Sequence, residues 1–211
     1  MLDIIIPTYN NAAALKRTLK SIPPLSQIHI TVVNDCSTKD LDGYARIKEE
    51  YDWVDFIDLK TNSGPGVARQ TGINATKNTH IMFIDAGDYI ISFYNLLEVL
   101  DMIKSYDLPD LYLWRWLNEE NNQFSSEQNP LLHGWVFKRE FLQIYNIRFS
   151  REGSYLNEDV GFTRACNLIL NNIKLYDLTP HMMFFETPIY MYTYDKDSIT
   201  HKNHKEFLYT K

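Results

Sequence analysis

The chain has little cysteine: Cys36 and Cys166 are its only two in 211 residues. They lie far apart and form no metal-ligand spacing, so free thiols in a reducing compartment are expected. Positive charge is also scarce, with 21 Lys and Arg against 27 Asp and Glu for a formal net charge of −6. That balance argues against a sequence-independent grip on nucleic acid, which needs clustered basic residues, although it leaves room for one local basic patch. No apolar run approaches the roughly 20 residues of a membrane span. Met1-Leu2-Asp3 leads directly into a strand pattern, with nothing resembling a secretory signal. The expectation is a soluble, cytoplasmic protein without a membrane span. Internal repeats and low-complexity segments are absent. So are the Gly-x-Ser-x-Gly elbow, His-Glu-x-x-His and the Walker-type Gly-Lys-Ser/Thr, which weakens hydrolase, zinc-protease, kinase and GTPase readings.

What is present is an ordinary globular composition, 45% hydrophobic and rich in aromatic residues at 14%. The length suits one large domain with a real core. Apolar runs at Leu2–Ile6, His29–Val33, Val54–Leu59 and Ile81–Ile84 predict strands. Helical spacing across Ala12–Ile22, Leu41–Tyr51 and Val67–Thr76 predicts the helices between them. This alternation calls for an α/β fold with a mostly parallel sheet flanked by helices. Beyond a helix at Phe93–Lys104 the pattern becomes irregular. A weak strand is expected at Asp110–Trp116, a polar loop at Asn118–Asn129, and helices at Lys138–Tyr145 and Glu158–Leu170. Late strands are expected at Lys174–Leu178 and Ile189–Tyr194. The chain therefore divides near residue 100 into a regular half, 1–100, and an irregular half, 101–211.

The predicted strands close in Thr8, Asp35, Asn62 and Asp85, and in a parallel sheet such ends share one rim, where open α/β sheets bind nucleotides. In Thr79–Ile90 (THIMFIDAGDYI) an apolar run breaks into Asp85-Ala86-Gly87-Asp88. Hard carboxylate oxygens there suit a divalent cation that holds phosphate, although the same residues also make an ordinary turn. Asn62–Arg69 (NSGPGVAR) is not a dinucleotide fingerprint, because Arg69 stands in the third glycine position. It still places an arginine one turn inside a helix start, either facing an anion or simply solvated. Asp35 could accept from a base or ribose, or cap a turn. Asn157-Glu158-Asp159 opens a helix, where a carboxylate could act as general base or merely favour the helix dipole. His133, His181 and His201 are scattered, and a lone histidine is more often structural than a ligand.

In combination and in order, the chain resembles the family-2 glycosyltransferases of GT-A fold. The matching segments are Ile4–Asn10 (IIIPTYN), Val32–Thr38 (VVNDCST), Asn62–Gly72 (NSGPGVARQTG) and Ile81–Tyr89 (IMFIDAGDY), then His133-Gly134, Phe137–Leu142 (FKREFL) and Glu158-Asp159. The resemblance implies an inverting enzyme that moves a sugar from a nucleotide sugar, a UDP-sugar being the expected donor, to an acceptor hydroxyl. Pro7, Thr8, Tyr9, Asn10, Asp35, Arg69, Asp85 and Ala86 would line the nucleotide. Asp85, Asp88 and His201 would hold Mn²⁺ or Mg²⁺. His133, Gly134 and Trp135 would shape the donor-sugar and acceptor pocket, and Asp159, paired with Glu158, would be the catalytic base. The acceptor stays open: a glycan, a lipid-linked sugar, a protein or a modified nucleic-acid base. One departure is central. Where the family usually has Asp-x-Asp-Asp, Gly87 replaces the middle carboxylate. Either Asp88 takes its place, or the metal binds weakly, or the protein is a sugar-nucleotide binding module that does not catalyse transfer.

Overall fold

The computed structural model describes residues 1–106, 109–126, 130–149, 158–173 and 181–193. Strands β1 (Leu2–Thr8), β2 (Ile28–Asn34), β3 (Asp55–Asp58) and β4 (His80–Phe83) alternate with helices α1 (Ala12–Lys20), α2 (Leu41–Glu50) and α3 (Pro65–Ala75). These follow the sequence expectation closely. Their strands pair in parallel, β3-β2-β1-β4, as short apolar runs joined by crossover helices must.

Beyond β4 the sheet becomes mixed. A two-residue strand β5 (Tyr89–Ile90) leads into α4 (Phe93–Ser105), followed by β6 (Leu111–Asn118), β7 (Trp135–Lys138), α5 (Arg139–Ile144), α6 (Glu158–Ile173) and β8 (Met182–Tyr192). Strand β7 pairs antiparallel with both β4 and β6, β8 lies parallel to β6, and β5 pairs antiparallel with β8. "Mostly parallel" therefore holds for the first half, and three antiparallel ladders complete the sheet. The expected strand at Ile189–Tyr194 is the end of the longer β8, while Lys174–Leu178 lies outside the described residues.

The order β3-β2-β1-β4-β7-β6-β8-β5 puts β4 and β5 four places apart. On a flat sheet that separation is about 19 Å at 4.8 Å per strand. Only residues 84–88 join them, and a hydrogen bond from Asp88 N to Asp85 O (3.0 Å) folds that link into a turn. Such a short, bent link closes only if the sheet curls, bringing β8 and β5 around to the end of β4.

Alternation along the strands feeds two cores. Leu2, Ile4 and Ile6 pack with Leu15 and Leu19 of α1, Ile47 of α2 and Val99 of α4. Ile5, Ile81 and Phe83 face the opposite layer, with Phe141 of α5 and Phe162 and Cys166 of α6. None of the described helices is long and apolar enough to cross a membrane.

Candidate active site

The rim expected from the strand ends is where the polar residues gather. Asp35, just past β2, is buried, and its two oxygens accept from the backbone N–H groups of Ser63 (2.8 Å) and Gly64 (2.7 Å). It thus holds the turn that leads into α3, a helix other than the one that follows it in sequence. Burial pushes its carboxyl up, against the pull of those two donors. Each oxygen keeps a lone pair for a further donor. Pro7 is buried within β1, paired with Val33. Thr8 hydrogen-bonds Tyr44 Oη (2.9 Å), Tyr9 beside it is 42% exposed, and Asn10 Oδ1 accepts from Thr38 N (2.7 Å) and Lys39 N (3.0 Å). These residues tie the loops after β1 and β2 together.

By holding the turn before α3, Asp35 steadies the entry to the helix that carries Arg69. That guanidinium is buried and bridges two carboxylates, donating through Nη2 to Asp85 Oδ1 (2.6 Å) and through Nη1 to Glu158. Burial alone would lower its affinity for a proton, but Asp85 and Glu158 outweigh it and hold Arg69 firmly charged. Arg69 also sits 5.9 Å over the ring of Phe149. Glu158 is largely buried, which raises its carboxyl despite Arg69. Asp159, next in the first turn of α6, accepts from Val160 N (2.8 Å) and is partly buried.

The Asp85–Asp88 turn is held from both sides. From α1, Thr18 Oγ1 donates to Asp88 O (2.7 Å) and accepts from Gly87 N (2.8 Å). From β8, Tyr190 Oη donates to Asp88 Oδ2 (2.6 Å) and Thr193 N to Asp88 Oδ1 (2.8 Å). Ala86 and Asp88 form a local bridge across the turn. Gly87 has φ +115°, where a side chain is strained, and a Cβ there would face Ala14 and Arg17 of α1, each 3.5 Å away. A carboxylate at position 87 would point toward α1. The residue that faces the site is Asp88.

His133 completes the cluster. Its Nε2 lies 3.9 Å from Asp85 Oδ2 and 3.8 Å from Asp88 Oδ2, and its ring stacks between Tyr190 (4.9 Å) and Tyr192 (5.1 Å). Gly134 makes this placement possible: its φ is +79°, and a Cβ would stand 2.2 Å from Trp114 O on β6. Burial pushes His133 down, but Asp85 and Asp88 pull it above the ordinary histidine range, and Asp159 adds to this. For Asp85, burial is overcome by Arg69 and His133, which hold it well below the usual carboxylate range. For Asp88, burial and the nearby Asp85 outweigh His133 and the donors Tyr190 and Thr193, and push it up to about 6.

Ligand atoms of Asp85, Asp88 and His133 all lie within 4.8 Å of one another. Two carboxylate oxygens and an imidazole nitrogen form a donor set that fits Mn²⁺ or Mg²⁺. Asp85 and Asp88 were expected as ligands. His133 was expected only in the sugar pocket, and His201 lies outside the described residues. Trp135 departs from expectation: it is fully buried and stacks on Phe137 in the core, because one step of strand alternation turns it from the rim. Sequence reasoning missed Thr18, Tyr190 and Thr193, whose roles depend on strand pairing across distant segments. No local motif marks them.

A family model described as Glycosyl transferase family 2 matches residues 3–171. Among curated proteins, the chain is 26% identical to the uncharacterized glycosyltransferase EpsJ of Bacillus subtilis, over 95% of this chain and 63% of EpsJ. It is 35% identical to a poly(ribitol-phosphate) beta-glucosyltransferase of Bacillus spizizenii, over 42% of this chain and 15% of that protein. The chain thus spans less than two thirds of these relatives. Among solved structures, S. aureus TarS 1–349 in complex with UDP-GlcNAc superposes with a TM-score of 0.77 at 18% identity, over 93% of this chain and 59% of that one. Mannosyltransferase PcManGT from Pyrobaculum calidifontis, in complex with GDP-Man and Mn²⁺, gives 0.69 at 14% identity, over all of this chain and 65% of that one. These likenesses agree on the fold, and the match to residues 3–171 assigns the chain to glycosyl transferase family 2.

Proposed function

We propose that this protein is a glycosyltransferase that moves a sugar from a nucleotide-sugar donor to an acceptor hydroxyl with inversion at the anomeric carbon. The observation that carries the reading is the convergence of Asp85, Asp88 and His133 beside the Arg69–Glu158 pair, with Asp159 at the edge of the same cluster. A UDP-sugar is the proposed donor, since TarS, whose fold this chain shares, binds UDP-GlcNAc. The first hundred residues form the donor half in this reading, and residues 101–211 supply the base and the acceptor side. Two free cysteines fit a cytoplasmic reaction.

Asp35 and Thr8 lie where the base and ribose would rest, and Asp35 retains lone pairs for an N–H of the base. Asp85, Asp88 and His133 would hold Mn²⁺ or Mg²⁺, which supplies positive charge beside the leaving diphosphate. Arg69 is committed to Asp85 and Glu158, so it orients the donor set and adds charge from behind. Asp159 takes the proton of the acceptor hydroxyl. The freed oxygen bonds to the anomeric carbon on the face opposite the diphosphate, and the bond to the diphosphate breaks with its electron pair leaving on phosphate. One displacement inverts the centre.

A donor-binding module without catalysis drew its support from Gly87. A Cβ at that position would face Ala14 and Arg17 of α1, which counts against that support.

The test is a mass-spectrometric screen of nucleotide sugars for hydrolysis or transfer with and without Mn²⁺. Activity should require the metal and fall by about 10²–10⁴-fold in Asp159→Asn, the range for losing a general base. Full activity in a folded Asp159→Asn protein would remove Asp159 from the mechanism. Binding of UDP without turnover across the panel would favour the non-catalytic module.

A further inference from the structure

Arg69 and Gln70 are consecutive in α3, and each holds a different part of the second half of the chain. Arg69 pairs with Glu158 at the start of α6. Gln70 Oε1 accepts from the backbone N–H of Phe149 (3.0 Å), 79 residues away in sequence. Its Nε2 donates to Asn74 Oδ1 (3.0 Å), one turn later in the same helix. A backbone N–H can only donate, so the two bonds together fix which way the amide points.

The residue anchored in this way packs against everything around it. Phe149 is buried, and its ring stacks on Phe162 of α6 with centroids 4.2 Å and planes 9° apart. It meets Phe83, the last residue of β4, edge-on at 5.4 Å, and the Arg69 guanidinium lies 5.9 Å over its face. Phe162 stands one helical turn after Glu158, so the two share a face of α6. A Cβ on Gly66 would stand 3.0 Å from Glu158 Cγ and 3.7 Å from Phe149 Cβ, so the start of α3 sits directly against both. Phe149 is thus wedged between Arg69, the end of β4 and the first turns of α6. Gln70 is the side chain that holds its backbone.

We infer that Gln70 is a positioning residue for the transfer step: by fixing Phe149 it sets where the first turn of α6 lies, and with it how far Asp159 stands from Asp85, Asp88 and His133. This deepens the transfer reading and rests on Asp159 as its base. The hydrogen bonds of Gln70 go to Phe149 and Asn74, so it acts through α6 and not on donor or metal.

The test is a double-mutant cycle on the full chain. It follows hydrolysis of UDP-GlcNAc, UDP-glucose, UDP-galactose and GDP-mannose in Mn²⁺, where water stands in for the acceptor. Misplacing a reacting group by about 1 Å can cost about 10²-fold in rate. Gln70→Met keeps the length and removes the acceptor oxygen. It should lower kcat at least about tenfold, with donor KM and the Mn²⁺ affinity read by electron paramagnetic resonance both within about twofold of the parent. In an Asp159→Asn background the same change should cost less than about twofold, because a base already removed cannot be misplaced. Gln70→Glu keeps an oxygen for Phe149 N–H, and Asn74 can turn its amide to donate to it, so most of the parent kcat should return. If the Met variant does not fold, Gln70→Asn, one methylene shorter, takes its place in the cycle. Equal losses in both backgrounds, a loss of donor or Mn²⁺ affinity in place of kcat, or a Glu variant as slow as the Met variant would overturn the inference and leave the transfer reading standing. A parent chain that turns over none of these donors would sink the transfer reading, and this inference with it.

Discussion

Tyr190 Oη donates to Asp88 Oδ2 at 2.6 Å while its ring stacks on His133 at 4.9 Å and 19°. One side chain from β8 therefore positions two of the three candidate ligands. It also accepts weakly from Asp85 N (3.3 Å), reaching the third residue through its backbone. Tyr190→Phe keeps the stacking and deletes the hydroxyl. Outer-shell losses of this kind typically weaken metal binding about 10–100-fold. Titration of Mn²⁺ followed by electron paramagnetic resonance should show a loss of about tenfold, and unchanged affinity would mean that Asp88 is positioned without Tyr190.

Gly87 gives a second expectation. Gly87→Asp recreates the family's middle carboxylate in sequence, yet it should not raise Mn²⁺ affinity, because the new side chain points at Ala14 and Arg17. The strained φ of +115° should cost about 1–3 kcal/mol of stability. Urea unfolding measures the cost, and the same metal titration checks the affinity. A gain in affinity would show that the turn rearranges.

Arg69 is the buried hub of the site. Arg69→Ala leaves Asp85 and Glu158 without their cation and should destabilise the protein by about 3–5 kcal/mol. Arg69→Lys should rescue little, since one ammonium cannot reproduce a planar fork that reaches both carboxylates. Denaturant unfolding of the two variants, side by side, decides this.

Asp88 gives the metal-free protein a pH dependence of definite sign. Its folded carboxyl is raised from 3.8 to about 6, so the folded state holds this proton more tightly than the unfolded chain. The associated stability is fully present below about pH 4 and is lost as pH rises through about 6, with a span of about 2–3 kcal/mol. Asp85 acts in the opposite sense, but its folded carboxyl is depressed, so its contribution is lost only as pH falls below about 4. Thermal unfolding in chelator should therefore show Asp88→Asn flattening the profile between pH 4 and 6. An unchanged profile would place that proton elsewhere.

Most of the first half could be read from the residues alone. Short β-branched runs such as IHITVV favour buried strands, and segments with apolar residues at helical spacing favour the helices that cross between them. That local periodicity placed Thr8, Asp35 and Asp85 on one rim, and order and spacing placed Arg69 and the Glu158-Asp159 pair in the same family pattern. Tertiary structure decided how these residues are used. Asp35 holds the turn before α3 and Arg69 bridges two acids because bonds close between segments distant in sequence, about which local pattern carries no information. The curl of the sheet brings Tyr190 and His133 to Asp88, and a backbone angle turns position 87 toward α1. A missing carboxylate in the sequence looked like a missing ligand; in three dimensions, Asp88 and His133 face the space beside Asp85.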